Sequence, residues 1–180
     1  MALTSADVAA HDDVLANDHN TLRSDLRDQD CDIQTRYFTV SPAAFVPQLD
    51  TQSFKIEPTY IQNNTDLTES WYRAGVNLPH GAIVTSFKAY WHRVDAAATG
   101  ECDLVRSALT GITADVMATA DSDASTGYHS VEDAIISDAT IDNTAYTYSI
   151  NMSLDPNDSA TIDVKFLGVV ITYTIVKGLP

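Results

Sequence analysis

Many side chains in this sequence are able to hold a ligand or move a proton, but their spacing limits what each can do. Trp71 and Tyr72 are adjacent, and two tryptophans with eight tyrosines can build an aromatic platform of the kind that stacks on sugar rings. Asp115, Asp121, Asp123 and Glu132 gather in one stretch, where Asp121-Ser122-Asp123 can present two oxygens to a hard cation such as calcium. The glycine and distal glutamate of an EF-hand are missing, and a solvated polar loop is the competing reading. A glycosidase acid pair can be drawn from so many carboxylates, but no position shows the apolar pocket that would raise one pKa. His11, His19, His80, His92 and His129 are scattered, and no pair has the spacing that aims two imidazoles at one metal. His80 falls in a turn and His92 on the outer face of a strand, so both read as solvated.

Nucleophile elbows, phosphate-binding loops, dinucleotide fingerprints and zinc motifs are missing from the sequence. No catalytic residues, no metal site and no cofactor are therefore expected, and an enzyme is disfavoured. Cys31 and Cys102 are too far apart in sequence for a metal knuckle and too few for a disulfide framework. Both read as free and packed, with a single bridge or an intermolecular link as the alternative. Three glycosylation sequons, beginning at Asn63, Asn151 and Asn157, read as accidental matches in a chain rich in Asn, Ser and Thr.

The elements that carry these residues are bounded by composition. At 180 residues and 19.5 kDa the chain is long enough for one domain with a small appendage. Its 25 acidic and 10 basic residues give a net charge of −15, which repels a phosphate backbone and disfavours nucleic acid. At 44% hydrophobic and 19% charged the composition is that of a folded chain. No run approaches the ~20 apolar residues of a membrane span, so no membrane insertion is expected, and the N-terminus lacks the pattern of a conventional secretory signal. Aspartate supplies 21 of the acids and lysine only 4 of the bases. That skew suits either a surface of Asp-containing turns or a halophilic, brine-adapted protein.

Ser5 caps a helical pattern in which Val8, Leu15 and Leu22 recur every seven residues, with His19 and Leu26 interleaved. The stripe predicts one helix within residues 1–34. It is too narrow to hold an isolated helix, so Val8, Leu15, His19, Leu22 and Leu26 are the expected oligomerisation contacts, most simply around a threefold axis. His19 in that seam can fix register or hold a water or anion on the axis. The alternative is a helix folded back on its own body.

Beyond Arg36 the period changes to short β-segments separated by Pro, Gly, Asn and Asp clusters. Strands are predicted near 37–40, 53–60, 70–78, 82–93, 101–108, 113–119, 129–137, 145–154 and 161–176. Tyr146, Tyr148, Ile150, Met152 and Leu154 alternate with polar residues, so one face of that strand is dry. Trp91 shares the alternation of Phe87 and Ala89 and is assigned to the core. In the last segment the apolar parity switches across Leu167-Gly168, which predicts a β-bulge at the glycine. The chain at Leu78-Pro79-His80-Gly81 and at Asp155-Pro156-Asn157-Asp158 has the chemistry of tight corners. The fold class is therefore mainly β, an antiparallel jelly-roll-like β-sandwich over residues 35–180 preceded by one N-terminal α-helix.

Two stretches carry a resemblance. Residues Ala9 to Leu26, AAHDDVLANDHNTLRSDL, resemble the short N-terminal helices that precede β-rich domains in structural proteins of tailed bacteriophages and archaeal tailed viruses. Residues Val76 to Trp91, VNLPHGAIVTSFKAYW, resemble a strand pair of sandwich domains in similar virion proteins, and Leu167 to Tyr173 are similar to their closing strand. The resemblance implies a non-enzymatic virion structural protein, a homotrimer displayed as a capsid decoration, turret or short tail spike or fibre subunit, with other capsid or tail proteins and a host-surface glycan as partners. No long shaft follows the helix, which favours the compact forms. Two other classes compete. One is a secreted carbohydrate-binding β-sandwich module using Trp71 and Tyr72 for ligand stacking, and the other is a cell-surface filament subunit.

Overall fold

The computed structural model describes residues 33–51, 54–63, 69–156 and 164–176. The predicted helix, with Val8, Leu15, His19, Leu22, Leu26 and Cys31, lies outside the described residues. Contacts divide the chain into two compact units, Met1–Gln34 with Val176–Pro180 and Thr35–Ile175. The second is the β-body.

Eleven strands are described: β1 (Ile33–Val40), β2 (Val46–Pro47), β3 (Phe54–Glu57), β4 (Tyr60–Asn63), β5 (Ser70–Val76), β6 (Ile83–Arg93), β7 (Thr99–Ala108), β8 (Ala114–Thr119), β9 (Gly127–Asp133), β10 (Tyr146–Asp155) and β11 (Val164–Val176). A single 3-10 turn, Pro42–Ala44, joins β1 to β2. One sheet runs β3-β4-β11-β6-β9 with β1 also on β11, and the other runs β2-β5-β10-β7-β8. Every pairing with a resolved register is antiparallel. From β5 onward the chain changes sheet at each connection except β7 to β8, which is the sandwich architecture that the spacing of the segments predicts.

Alternation drives this arrangement. On β5 the buried residues are Ser70, Tyr72, Ala74 and Val76, while Trp71, Arg73 and Gly75 point outward. On β10 Tyr148, Ile150, Met152 and Leu154 are buried, as the apolar period requires, and Ser153 is buried as well. Between the sheets Trp91 is fully buried, edge-on to Phe166 at 5.1 Å between ring centroids, and its Nε1 donates to the Ala120 carbonyl at 3.2 Å. Phe166 is in turn edge-on to Phe45 at 5.0 Å. Cys102 is buried and free.

Two details of the strand reading change. The segment 53–60 is the hairpin β3-β4, because Pro58-Thr59 forms a turn and Ile56 pairs with Ile61 across it. The edge strand β2 has no alternation of its own to announce it. The bulge does form: Phe166 pairs with Trp91 and Gly168 with Tyr90, leaving Leu167 as the extra residue. Gly168 has φ +128, and a Cβ there would come within 2.9 Å of the Val40 carbonyl oxygen. Leu78–Gly81 is a corner between sheets, closed by Ala82 N–H donating to Pro79 O at 3.1 Å, with Gly81 at φ +78.

Gly168→Ala is expected to destabilise the body by about 1–3 kcal/mol, through positive φ and the clash together. Gly75→Ala, which meets nothing within 4 Å, changes stability by less than ~0.5 kcal/mol. Urea unfolding of the two variants checks the contrast.

Candidate functional site

The outer face of the five-stranded sheet brings together the polar and aromatic residues that the alternation turns away from the core. The register aligns Trp71, Ser153 and Glu101 in one cross-strand row, and Arg73, Asn151, Asp103 and Thr119 in the next. At the β2 edge, Val46 pairs with Arg73, and Gln48 donates its backbone N–H to the Trp71 carbonyl at 2.8 Å. Gln48, Trp71, Arg73 and Asn151 thereby line a recess of about 260 Å³, with part of Tyr72 at its floor. That volume lies just below the roughly 300–1,000 Å³ of common small-ligand pockets.

Trp71 is 36% exposed, so part of its ring is open to the surface. Asn151 Oδ1 and Ser153 Oγ are buried on this face without a hydrogen-bond partner. A flat ring beside amide and guanidinium donors suits a molecule with an apolar ring face and hydroxyl edges. Among the described residues, the side chains lining the recess supply an indole face, amide donors and acceptors and a guanidinium.

Tyr72 does not belong to the platform. It follows Trp71 by one residue, and so points into the sandwich, where it is fully buried, packs on Phe54 at 5.9 Å and donates from its hydroxyl to Asn63 Oδ1 at 2.9 Å. Adjacent strand residues face opposite ways, and this parity corrects the expectation that both rings stack on one ligand. Asn63 itself is buried, with Nδ2 donating to the Leu154 carbonyl, so its amide serves the interior.

The carboxylates that cluster in sequence separate in space. Asp121 Oδ1 accepts from the Cys102 backbone N–H at 2.9 Å, whereas Asp123 Oδ1 caps the Ser125 N–H at 2.8 Å and stands 3.5 Å from His129 Nε2. Asp115 pairs with Arg106, and Glu132 accepts from Ser86 Oγ at 2.6 Å and Lys88 Nζ at 3.0 Å. Each carboxylate is committed to its own local donor, and among the described residues no group of three or more His, Cys, Asp or Glu is placed to hold a metal ion. Asp121 and Asp123, two residues apart, thus each answer a different backbone N–H, as in the solvated polar loop of the competing reading.

His80 is exposed, with Nδ1 accepting from the Asn143 N–H at 3.2 Å. His92 does lie on the outer face of its sheet, yet it is only half-exposed, tilted against the Tyr128 ring at 4.3 Å. Burial first, then the charges of Lys165 and His129, push its pKa below the usual imidazole value. It is a packed neutral ring rather than a solvated one. Sequence reasoning identified Trp71 as a ligand candidate but missed Gln48, Arg73 and Asn151. The outward parity of Arg73 and Asn151 was legible on β5 and β10, but their adjacency requires the pairing of those two strands.

No protein-family model matches the chain, and no curated protein matches its sequence. Among solved structures it is similar to a xylan-binding module, CBM15, at 9% identity over 77% of this chain and 97% of that one, with a TM-score of 0.49. It is also similar to the C-terminal CBM6 of LamC from Zobellia galactanivorans, at 14% identity over 76% and 99% and a TM-score of 0.46. A structure of infectious bursal disease virus, Gx strain, matches at 11% identity over 82% of this chain and 33% of that one, again with a TM-score of 0.46. Identities this low and TM-scores below 0.5 decide neither ancestry nor function.

Burial pushes the Asp121 carboxyl above its ordinary value, with the Cys102 N–H opposing and the Asp103 charge adding to the rise. A carboxyl with a raised folded-state pKa favours folding while protonated, and that advantage is lost as pH rises through the folded value. Asp121→Asn, which keeps an oxygen for the Cys102 N–H, is therefore expected to raise the melting temperature at pH 7 and to lose that gain near pH 3. Calcium at millimolar concentration leaves the wild-type melting temperature unchanged. Scanning calorimetry at the two pH values, with and without calcium, checks both.

Proposed function

We propose that this chain is a non-catalytic carbohydrate-recognition module that receives a sugar ring against Trp71 on the outer face of its five-stranded sheet. The observation that carries the reading is the recess itself, where a partly exposed indole stands beside Gln48, Arg73 and Asn151 on a rigid antiparallel support. Aromatic stacking supplies apolar contact to the ring face, and the amides and guanidinium address the hydroxyl edge. A site on paired strands is held more firmly than one on loops, so little ordering cost accompanies binding.

The sequence resemblance suggests where such a module works. Display on the surface of a virion, with a host-surface glycan as ligand, joins the recess to the heptad stripe of Val8, Leu15, His19, Leu22 and Leu26, which would hold the copies together. Weak single sites then gain avidity from the assembly.

Two expected outcomes test these readings separately. On a glycan array, Trp71→Ala lowers binding at least about tenfold while circular dichroism keeps the wild-type β-signal, because the ring stands on the outward side of β5. A wild-type chain silent across the array rejects the recognition reading. In light scattering, the full chain is a trimer and Leu22→Asp a monomer with its β-signal intact; a wild-type monomer rejects the assembly.

A further inference from the structure

The charge pattern around the recess narrows the ligand. Among the described basic residues, Lys55 pairs with Glu57 at 2.6 Å, Lys88 with Glu132 at 3.0 Å, and Arg106 with Asp115 and Asp138 at 3.2 and 2.8 Å. Arg93 is buried and donates to the Ala96 carbonyl, and Lys165 lies over the Tyr60 ring at 4.8 Å. Arg36 also has an interaction. Arg73 differs: it is exposed, it lines the recess next to Trp71, and its guanidinium makes no ion pair or hydrogen bond among the described residues.

An unpaired guanidinium is unusual in a chain with 25 acids and 10 bases, where acidic partners are abundant. Its five donors form a planar fork that matches a carboxylate with two parallel hydrogen bonds, a stronger and more directional contact than a hydroxyl can offer. We infer that Arg73 selects a glycan bearing an isolated carboxylate, of the uronic- or sialic-acid class, whose ring lies on Trp71 while its acid group meets the guanidinium. The inference rests on the recognition reading and specifies the ligand for the same recess.

The rest of the face limits how much negative charge that glycan can carry. In the row of Arg73, Asn151 lies on the next strand and Asp103 on the one after, and Glu101 occupies the same far strand in the row of Trp71. At about 4.8 Å per strand these acids stand roughly 10 Å from the β5 backbone, across β10. They repel a second anionic group along the chain, as does the net charge of −15. One acid group per bound segment is accommodated, whereas a polysulfated or polyuronate chain is excluded.

The test uses the full-length protein on an array printed with matched pairs, each neutral glycan beside its singly carboxylated counterpart and beside heparin and polygalacturonate. The wild type should bind the singly acidic member of a pair about tenfold more tightly than the neutral one and give little signal on the polyanions. Arg73→Gln, at an exposed position, should retain the wild-type melting temperature and erase the difference within each pair, while Trp71→Ala weakens both members. Equal binding within pairs, unchanged in Arg73→Gln yet lost in Trp71→Ala, overturns the charge selection and leaves sugar recognition standing. Preferential binding of the polyanions also overturns it, and silence on every spot removes both.

Discussion

The two sheets close on a ring too large to fit without a gap opposite it. Trp91 projects from the middle of the first sheet, and Gly100, on the second, is where that gap lies: a Cβ at Gly100 would run into the indole, with Cη2 at 2.7 Å. The indole in turn is held edge-on by Phe166 and anchored by its Nε1 to the Ala120 carbonyl, which fixes it in the plane between the layers. Interiors are packed closely enough that a ring of this size sets the local spacing of the sheets. The registers of β6, β7 and β11 all have to agree with it, and the extra residue at Leu167 lets β11 present Phe166 and Val169 to the same interior despite their parity.

Once the inward set is fixed, the outward set follows without further choice. Ala74, Tyr72 and Ser70 enter the sandwich, so Trp71 and Arg73 must leave it. On the paired strand, Met152 and Ile150 enter and Asn151 leaves. The recess therefore needs no loop of its own to build it, being the outer side of strands whose inner side is core. That makes Trp71 and Arg73 open to substitution without loss of folding, while Tyr72, one residue away, is tied to both Phe54 and Asn63.

The acidic surface is handled locally. Aspartates cap backbone N–H groups two residues downstream at Asp95, Asp123, Asp133 and Asp142, the geometry that makes aspartate a turn residue. Glu132 and Asp142 are held below the usual carboxylate range first by side-chain hydrogen bonds, from Ser86 and Thr144 respectively, and Asp123 by the backbone N–H of Ser125. These four caps give part of the 21 aspartates a structural place at turns. Against this background Arg73, which makes no ion pair among the described residues, is the feature out of place.

The amino-acid order alone determined the β-class, most strand positions, the burial of Trp91, the corner at Leu78–Gly81 and the bulge at Gly168, because each depends on a period of two or on backbone freedom within a few residues. It did not reveal the split at Pro58-Thr59 or the edge strand β2, where the segments are too short for a period to emerge. Nor did it separate Asp121 from Asp123, whose partners, Cys102 and Ser125, lie 19 and 2 residues away. Which residues share the recess was decided only by tertiary structure: Gln48, Arg73 and Asn151 span about 100 positions and meet because β2, β5 and β10 hydrogen-bond in that order. Parity along one strand is a local property, whereas neighbourhood across strands is set by how all the inward faces pack at once.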